Sequence, residues 1–372
     1  MGTILGLLLA LIVPLYFLRI IRKFDFYQIG QFHIILICLF WGGLVYAPAT
    51  FTNFMLENLG LTNSETTVHL VAPISEEIFK GLVLLYFVRR AKFTYSVDGA
   101  LYGFAVGIGF AVVENFDYIS ANMTEVMIIA VQRIFSANLI HASSSALLGI
   151  ALCSTRLKRL QLHWLIITGG LIMAVGPHMF YNMISHNGIQ SLIASIFSGF
   201  LSAGAIIIIM KYSQKQTQNW IKEKFGMADR VTRNEVVAIN RLAIQNNALY
   251  PIVERFGAEK ASQVEQLLYL EARLGIKRKS LDSLLNNDAL RNSVETEIRE
   301  MRTKMEEVRR SIGTYVMLFV RGLFTKEMIS VWEQMQAKIR EQSTETDGQK
   351  GGGLWSSLEE RVKSPLEEKG AD

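Results

Sequence analysis

The sequence predicts an all-α protein: a polytopic membrane helix bundle of about seven transmembrane helices at residues 1–211, a soluble cytoplasmic helical domain at 212–340, and a disordered tail at 341–372. Three observations carry that reading. The first is a split in charge. Residues 1–211 hold 12 Lys and Arg and 9 Asp and Glu, whereas residues 212–372 hold 26 and 24. The whole chain is 50% hydrophobic and 19% charged, below the roughly 25% charged residues of a soluble domain. The second is a set of seven apolar stretches, at about 2–21, 29–51, 68–88, 97–116, 126–152, 163–184 and 189–210. Each is long enough, or nearly so, to cross a hydrocarbon layer of about 30 Å at about 1.5 Å per residue. The third is the loop charge. Arg19, Arg22 and Lys23 follow the first stretch, Arg89, Arg90 and Lys92 the third, Arg156, Lys158 and Arg159 the fifth, and Lys211, Lys215, Lys222 and Lys224 the seventh. The intervening loops carry no Lys or Arg. Cytoplasmic loops are the basic ones, so the N-terminus is expected outside and the C-terminus in the cytoplasm.

The elements follow in order. The first stretch has its basic residues after the apolar run, where a cleaved signal peptide would have them before it; it reads as an uncleaved anchor. Cys38 and Cys153 both lie in apolar stretches and are expected to be buried thiols. A net charge of +5 over 372 residues gives neither half a basic face for nucleic acid. In the soluble part, Val264, Leu267, Leu268, Leu274 and Leu281 recur at helical spacing, and Val294 to Arg310 reads as a charged amphipathic helix. The apolar run VMLFV, with Leu323 and Phe324 after Arg321, is too short to span a bilayer and is expected to be a core helix. The Gly-, Ser- and charge-rich end reads as disordered, with Gly351 to Gly353 as a flexible joint.

Ionisable residues inside membrane spans cost roughly 2.5–3.5 kcal/mol each on insertion scales, and this chain places several there. In the third stretch Glu76 and Lys80 are four apart and Glu77 and Lys80 three apart, on one helix face behind Pro73. A charge pair that only glues helices is the plain alternative. In the fourth, Gly99, Gly103, Gly107 and Ala111 recur every four residues, a stripe that admits another helix backbone. Glu114 and Asn115 follow on from it. In the fifth, Arg133, Ala137, His141 and Ser145 are spaced by four. Arg133 needs an acid, and Glu114 or the Glu76/Glu77 pair is at hand. In the sixth, His178 and Asn182 share a face. His33, His69, His163 and His186 fall near span ends and read as interfacial. Most of the polar residues lie in the outer half of the membrane, with His141 deepest.

The set SEEIFK at 75–80, GFAVVEN at 109–115, Arg133 with HASSSALLG at 141–149, and HMFYN at 178–182 resembles the PrsW family of intramembrane proteases, relatives of the CAAX prenyl proteases and of the Aph-1 subunit of gamma-secretase. The resemblance covers about residues 1–211. It implies a glutamate-dependent peptidase in a bacterial inner membrane. Glu76 and Glu77 match the paired glutamates, and Lys80 the basic residue after them. Glu114 and Asn115 match the second motif, His141 the third, and His178 with Asn182 the fourth. Catalysis is therefore expected from Glu76, Glu77, His141, His178 and Asn182, supported by Lys80, Glu114, Asn115, Arg133 and Ser145. The expected partners are the lipid bilayer, a membrane-anchored protein substrate of the anti-sigma-factor type, and a regulatory partner of residues 212–340. The cut is expected near the outer face. Peptide hydrolysis needs a base for water, a donor for the oxyanion and a proton for the amine, and the site residues offer all three. With no His-Glu-x-x-His motif the reaction reads as free of any cofactor. A zinc-dependent form would use Glu76, His141 and His178 as ligands. A proton-coupled transporter and a non-catalytic scaffold of the Aph-1 kind are the other classes that buried Glu, His and Arg allow.

Overall fold

The computed structural model describes residues 2–323, apart from 28–29, 91–92, 94, 123–124, 156–161, 186–188, 225–230, 232, 243–247, 283 and 285–287. The expected tail, its triple glycine, and the loop residues Lys92, Arg156, Lys158 and Arg159 lie outside the described residues. The helices run in order: α1 Gly2–Arg22, α2 Phe32–Leu44, α3 Tyr46–Asn58, a single turn α4 Ser64–Thr66, a π-helical turn Thr67–Val71, α5 Ala72–Val88, α6 Ser96–Ala121, α7 Val126–Phe135, α8 Ala137–Thr155, α9 His163–Ile184, α10 Ile189–Lys224, α11 Arg233–Leu242, α12 Tyr250–Asp282, α13 Asp288–Ile312 and α14 Thr314–Leu323.

Six stretches of helix are long and apolar enough to cross a membrane: Gly2–Arg22, Phe32–Asn58, Ser96–Ala121, Val126–Thr155, His163–Ile184 and Ile189–Ile221. These are six of the about seven spans expected. The span expected at 68–88 is the exception. Its α-helical part, α5, has 17 residues, about 26 Å at helical rise, and it carries the three charges of Glu76, Glu77 and Lys80. A π-helical turn occupies the rest.

At the centre stands α6, which is buried without a break from Val97 to Val112. Its glycines make this possible. A Cβ at Gly99 would strike the Gly149 carbonyl of α8, one at Gly103 the Ser145 carbonyl, and one at Gly107 the His141 carbonyl. On another face, a Cβ at Gly109 would strike the Leu39 carbonyl of α2, and one at Gly42 of α2 the Val106 carbonyl of α6. Backbone thus meets backbone on two sides, the close approach that small residues permit between membrane helices.

The helix expected over 126–152 is broken. Ser136 leaves helical geometry at φ −121° and ψ −80° and separates α7 from α8. Gly199 of α10 fits against the break, with Phe135 and Ser136 where its Cβ would be. The four-residue stripe Arg133, Ala137, His141 and Ser145 is therefore bent between Arg133 and Ala137.

Beyond the membrane half, α10 continues unbroken through residue 211 to Lys224. Val264, Leu267, Leu268 and Leu274 of α12 are buried, as are Val316, Met317 and Val320 of α14, which is a core helix. Gly257, at φ 85°, kinks α12. Two buried acids tie the helices together. Glu271 meets Arg309 at 2.7 Å and Glu235 meets Arg321 at 3.4 Å. Between the two halves, Arg273 Nε donates to the Tyr27 carbonyl at 3.3 Å.

Two predictions follow from this packing. Gly103→Val has only α8 backbone to push against, so it should cost at least the ~1–3 kcal/mol of ordinary overpacking. Gly204→Ala, with nothing within 4 Å, should be neutral or slightly stabilising. Thermal melts of the detergent-solubilised variants compare the two. The second concerns Glu271, whose pKa burial and then Glu235 push up from 4.5 to about 8, against the pull of Arg309. A carboxyl raised on folding holds an extra proton between those values, so its share of stability is complete below pH 4.5 and is lost as pH rises to about 8. Glu271→Gln should flatten that fall. A melt profile of the variant as steep as the parent's between pH 5 and 8 would refute this.

Candidate functional site

On α5, Glu76, Glu77 and Lys80 all turn inward, at 8%, 0% and 0% exposure. Three side chains from other helices hold this segment by its backbone or its first turn. Trp41 Nε1 of α2 donates to the Phe79 carbonyl at 3.1 Å. Ser75 Oγ donates to Asn53 Oδ1 of α3 at 2.8 Å. Asn182 Nδ2 of α9 donates to the Val68 carbonyl, in the π-helical turn, at 2.8 Å. A π turn displaces its carbonyls from the regular ladder, and Asn182 satisfies one of them.

The polar residues of four helices converge on α5. Lys80 Nζ donates to Glu77 Oε1 at 2.8 Å and lies 2.9 Å from His141 Nδ1 and 3.6 Å from Glu76 Oε2. It also sits 4.0 Å from the Phe110 ring centroid. Ser145 Oγ donates to Glu77 Oε2 at 3.1 Å. On the other side of His141, Nε2 lies 2.7 Å from Glu114 Oε2, which also accepts from Arg133 at 2.6 Å. Arg133 Nε donates to Asn115 Oδ1 at 2.8 Å, and Asn115 Nδ2 donates in turn to Asn138 Oδ1 at 2.7 Å. His178 Nε2 is 3.7 Å from Glu76 Oε2, and its Nδ1 is 3.4 Å from Glu77 Oε1. The two imidazoles meet edge to face at 4.5 Å.

Donor and acceptor bookkeeping fixes the tautomer of His141. An ammonium can only donate, so Nδ1, facing Lys80, offers its lone pair. Nε2, facing a carboxylate oxygen that already accepts from Arg133, carries the hydrogen.

Of the expected site residues, the structure brings together Glu76, Glu77, Lys80, Glu114, Asn115, Arg133, His141, Ser145 and His178. Asn182 stands apart. Its amide is spent on the Val68 carbonyl, so it positions the turn before α5 and does not join the cluster. Reading the sequence missed Asn138, Phe110, Trp41 and Tyr118, whose ring lies 3.7 Å from the Arg133 guanidinium carbon. Asn138 carried a usable signal, since it lies one turn before His141 on the same face.

Glu76 Oε2, His141 Nδ1 and His178 Nε2 fit a divalent metal. Glu76, His141 and His178 offer ligand atoms within 4.8 Å of one another, on three different helices. Glu76 Oε2 is 3.8 Å from His141 Nδ1 and 3.7 Å from His178 Nε2. Tetrahedral ligands at about 2.05 Å from zinc lie about 3.4 Å apart, so each imidazole nitrogen needs to close on Glu76 by only a few tenths of an ångström. Glu76 Oε2 is buried with no hydrogen-bond partner, an atom that lacks the contact burial demands. Behind His141 stands a hydrogen-bonded carboxylate, Glu114, the arrangement by which metal-binding imidazoles are oriented, and Glu77 lies 3.4 Å from His178 Nδ1.

The chain resembles known proteins over the stretch that carries this cluster. Residues 30–212 match the family described as PrsW family intramembrane metalloprotease. Protease PrsW of Geobacillus kaustophilus (strain HTA426) is 30% identical over 127 residues, which cover 34% of this chain and 55% of that protein. The chain thus spans about half the length of that curated relative. No solved structure matches the chain. The matched segment contains every residue of the cluster on α5, α6, α7, α8 and α9, and it is this membrane-embedded part of the chain that is similar to the PrsW family.

Proposed function

We propose that the chain is an intramembrane endopeptidase that hydrolyses a peptide bond of a membrane-anchored protein at a divalent metal, zinc by its ligand set, held by Glu76, His141 and His178. The observation that carries the reading is the meeting of those three ligand atoms from three helices, with the Glu114 carboxylate hydrogen-bonded behind His141. Two histidines and a glutamate are the ligands of one class of zinc peptidase, and they leave a fourth position for water. A zinc ion held by Glu76, His141 and His178 would supply an activated water and a polarised carbonyl.

The chain's own residues supply the rest. With Glu76 as a ligand, Glu77 is the carboxylate left to take a proton from water and return it to the departing amine. Ser145 and Lys80 fix one oxygen of Glu77 each. Lys80 is also a donor for the charge that develops on the carbonyl oxygen, whereas Arg133 is held by Glu114 and Asn115. The π-helical turn and the short α5 shape one flank of the site, where a substrate segment must unwind before any peptide bond is exposed. The loop charges favour an outside N-terminus and a cytoplasmic C-terminus in a bacterial inner membrane, which puts the cut near the outer face. Residues 212–340 are then a cytoplasmic module for a regulatory partner.

One observation favours a second reading, hydrolysis without a metal in which Glu76 or Glu77 is the base: Lys80 already occupies the His141 lone pair. Purified protein with a single-span substrate separates the two. Under the metal reading, Glu76→Gln should lose at least about a hundredfold in rate with its melt intact. A chelator should abolish cleavage, and zinc should restore it. Full activity in protein shown to be free of metal would select the second reading. Parental turnover by both Glu76→Gln and Glu77→Gln would refute both.

A further inference from the structure

The His141 nitrogen that faces the candidate metal position has one lone pair, and Lys80 holds it. Nδ1 accepts from Nζ at 2.9 Å, and its other nitrogen is committed to Glu114 at 2.7 Å, with Arg133 and Asn115 locked behind it. His141 therefore cannot turn its ring to offer Nε2 without breaking that chain. An N–H donor and a metal ion cannot share one lone pair. A dication and an ammonium side by side also repel. Lys80 and a metal on Glu76, His141 and His178 are mutually exclusive as the side chains stand.

We propose that Lys80 is an internal cation of this centre, which caps His141 in the metal-free protein and, when a metal loads, lets go of His141 while staying on Glu77; the inference rests on the metal reading given above. The alternative berth is already built. Glu77 Oε1 lies 2.8 Å from Nζ, Ser145 fixes the other Glu77 oxygen, and the Phe110 ring faces the ammonium at 4.0 Å. A rotation of the last bonds of the lysine stem keeps Glu77 and the ring as partners while releasing Nδ1, and lysine is the basic residue with the compact, rotatable head that this needs. The device has two effects. Without metal, Lys80 supplies a cation among Glu76, Glu77 and Glu114, so the buried acids keep a partner. With metal, the incoming ion must displace that ammonium from a nitrogen ligand. Ions that favour nitrogen, such as zinc and cobalt, succeed, and oxygen-seeking magnesium does not. Lys80 thus sets which metals enter.

Cobalt binding tests this without reference to proteolysis. Full-length protein in detergent micelles is stripped of metal and titrated with cobalt(II), read by its visible absorption, with zinc as competitor. Lys80→Met should bind cobalt at least tenfold more tightly than the parent. To guard against a variant destabilised by an unpaired Glu77, Glu77→Gln/Lys80→Met is compared with Glu77→Gln and should show the same gain. His178→Ala should bind none. In the metal-free state Lys80→Met should melt below the parent, and cobalt should narrow the gap. Equal or weaker cobalt affinity in both Lys80→Met chains, with binding still dependent on His178, overturns the role of Lys80 and leaves the metal centre standing. No His178-dependent binding in any chain overturns the metal reading and this inference with it.

Discussion

The contact between α6 and α8 sets everything else. Three glycines in a row on α6 lie against three carbonyls on α8, and no side chain separates the helices there. Glu114 and Asn115 on one helix are thereby brought to Arg133, Asn138 and His141 on and before the other. Larger residues on that stripe would part the helices by the width of a side chain. An ion pair at 2.6 Å and a hydrogen bond at 2.7 Å would then stretch beyond reach. Small residues that look like mere packing are in this protein the ruler for its polar centre.

The second constraint is charge in a medium that rejects it. Glu76, Glu77 and Glu114 are balanced by two permanent cations, Lys80 and Arg133, and the histidines stand between them. Burying such groups is costly unless each is paired and hydrogen-bonded. The structure meets that demand by sharing: Lys80 serves Glu77 and His141, and Glu114 serves Arg133 and His141. Sharing makes the groups interdependent, so no member acts on its neighbours one at a time. It also leaves one acid in excess of the permanent cations, which suits a centre that receives a positively charged ion.

Much of this was legible in the sequence because bilayers punish polar residues. Glu76, Glu77, Lys80, Glu114, Arg133, His141 and His178 stood out against apolar runs, and the glycine period of α6 showed which face another helix would meet. What stayed hidden has a common cause: it depends on backbone geometry. The partner of Asn182 is a carbonyl in a π-helical turn, and nothing in the residue pattern announces such a turn. The break at Ser136 falls within an apolar run whose hydropathy does not change. The span expected at 68–88 was judged by its apolar length, although the charges of α5 and the turn before it shorten the part that is regular helix.

The helix α10 is a single piece of 36 residues, about 54 Å long at helical rise. It begins among the membrane spans and ends beside the helices of the C-terminal part. Along its length Gly199 rests on the break between α7 and α8, next to the segment that carries Arg133. A rod borne at such a point is a lever. Leaning its far end through about five degrees about Gly199 moves that end by about 3 Å over the roughly 25 residues to Lys224, and the fulcrum lies on the one place in the Arg133–His141 stretch where the backbone is already bent.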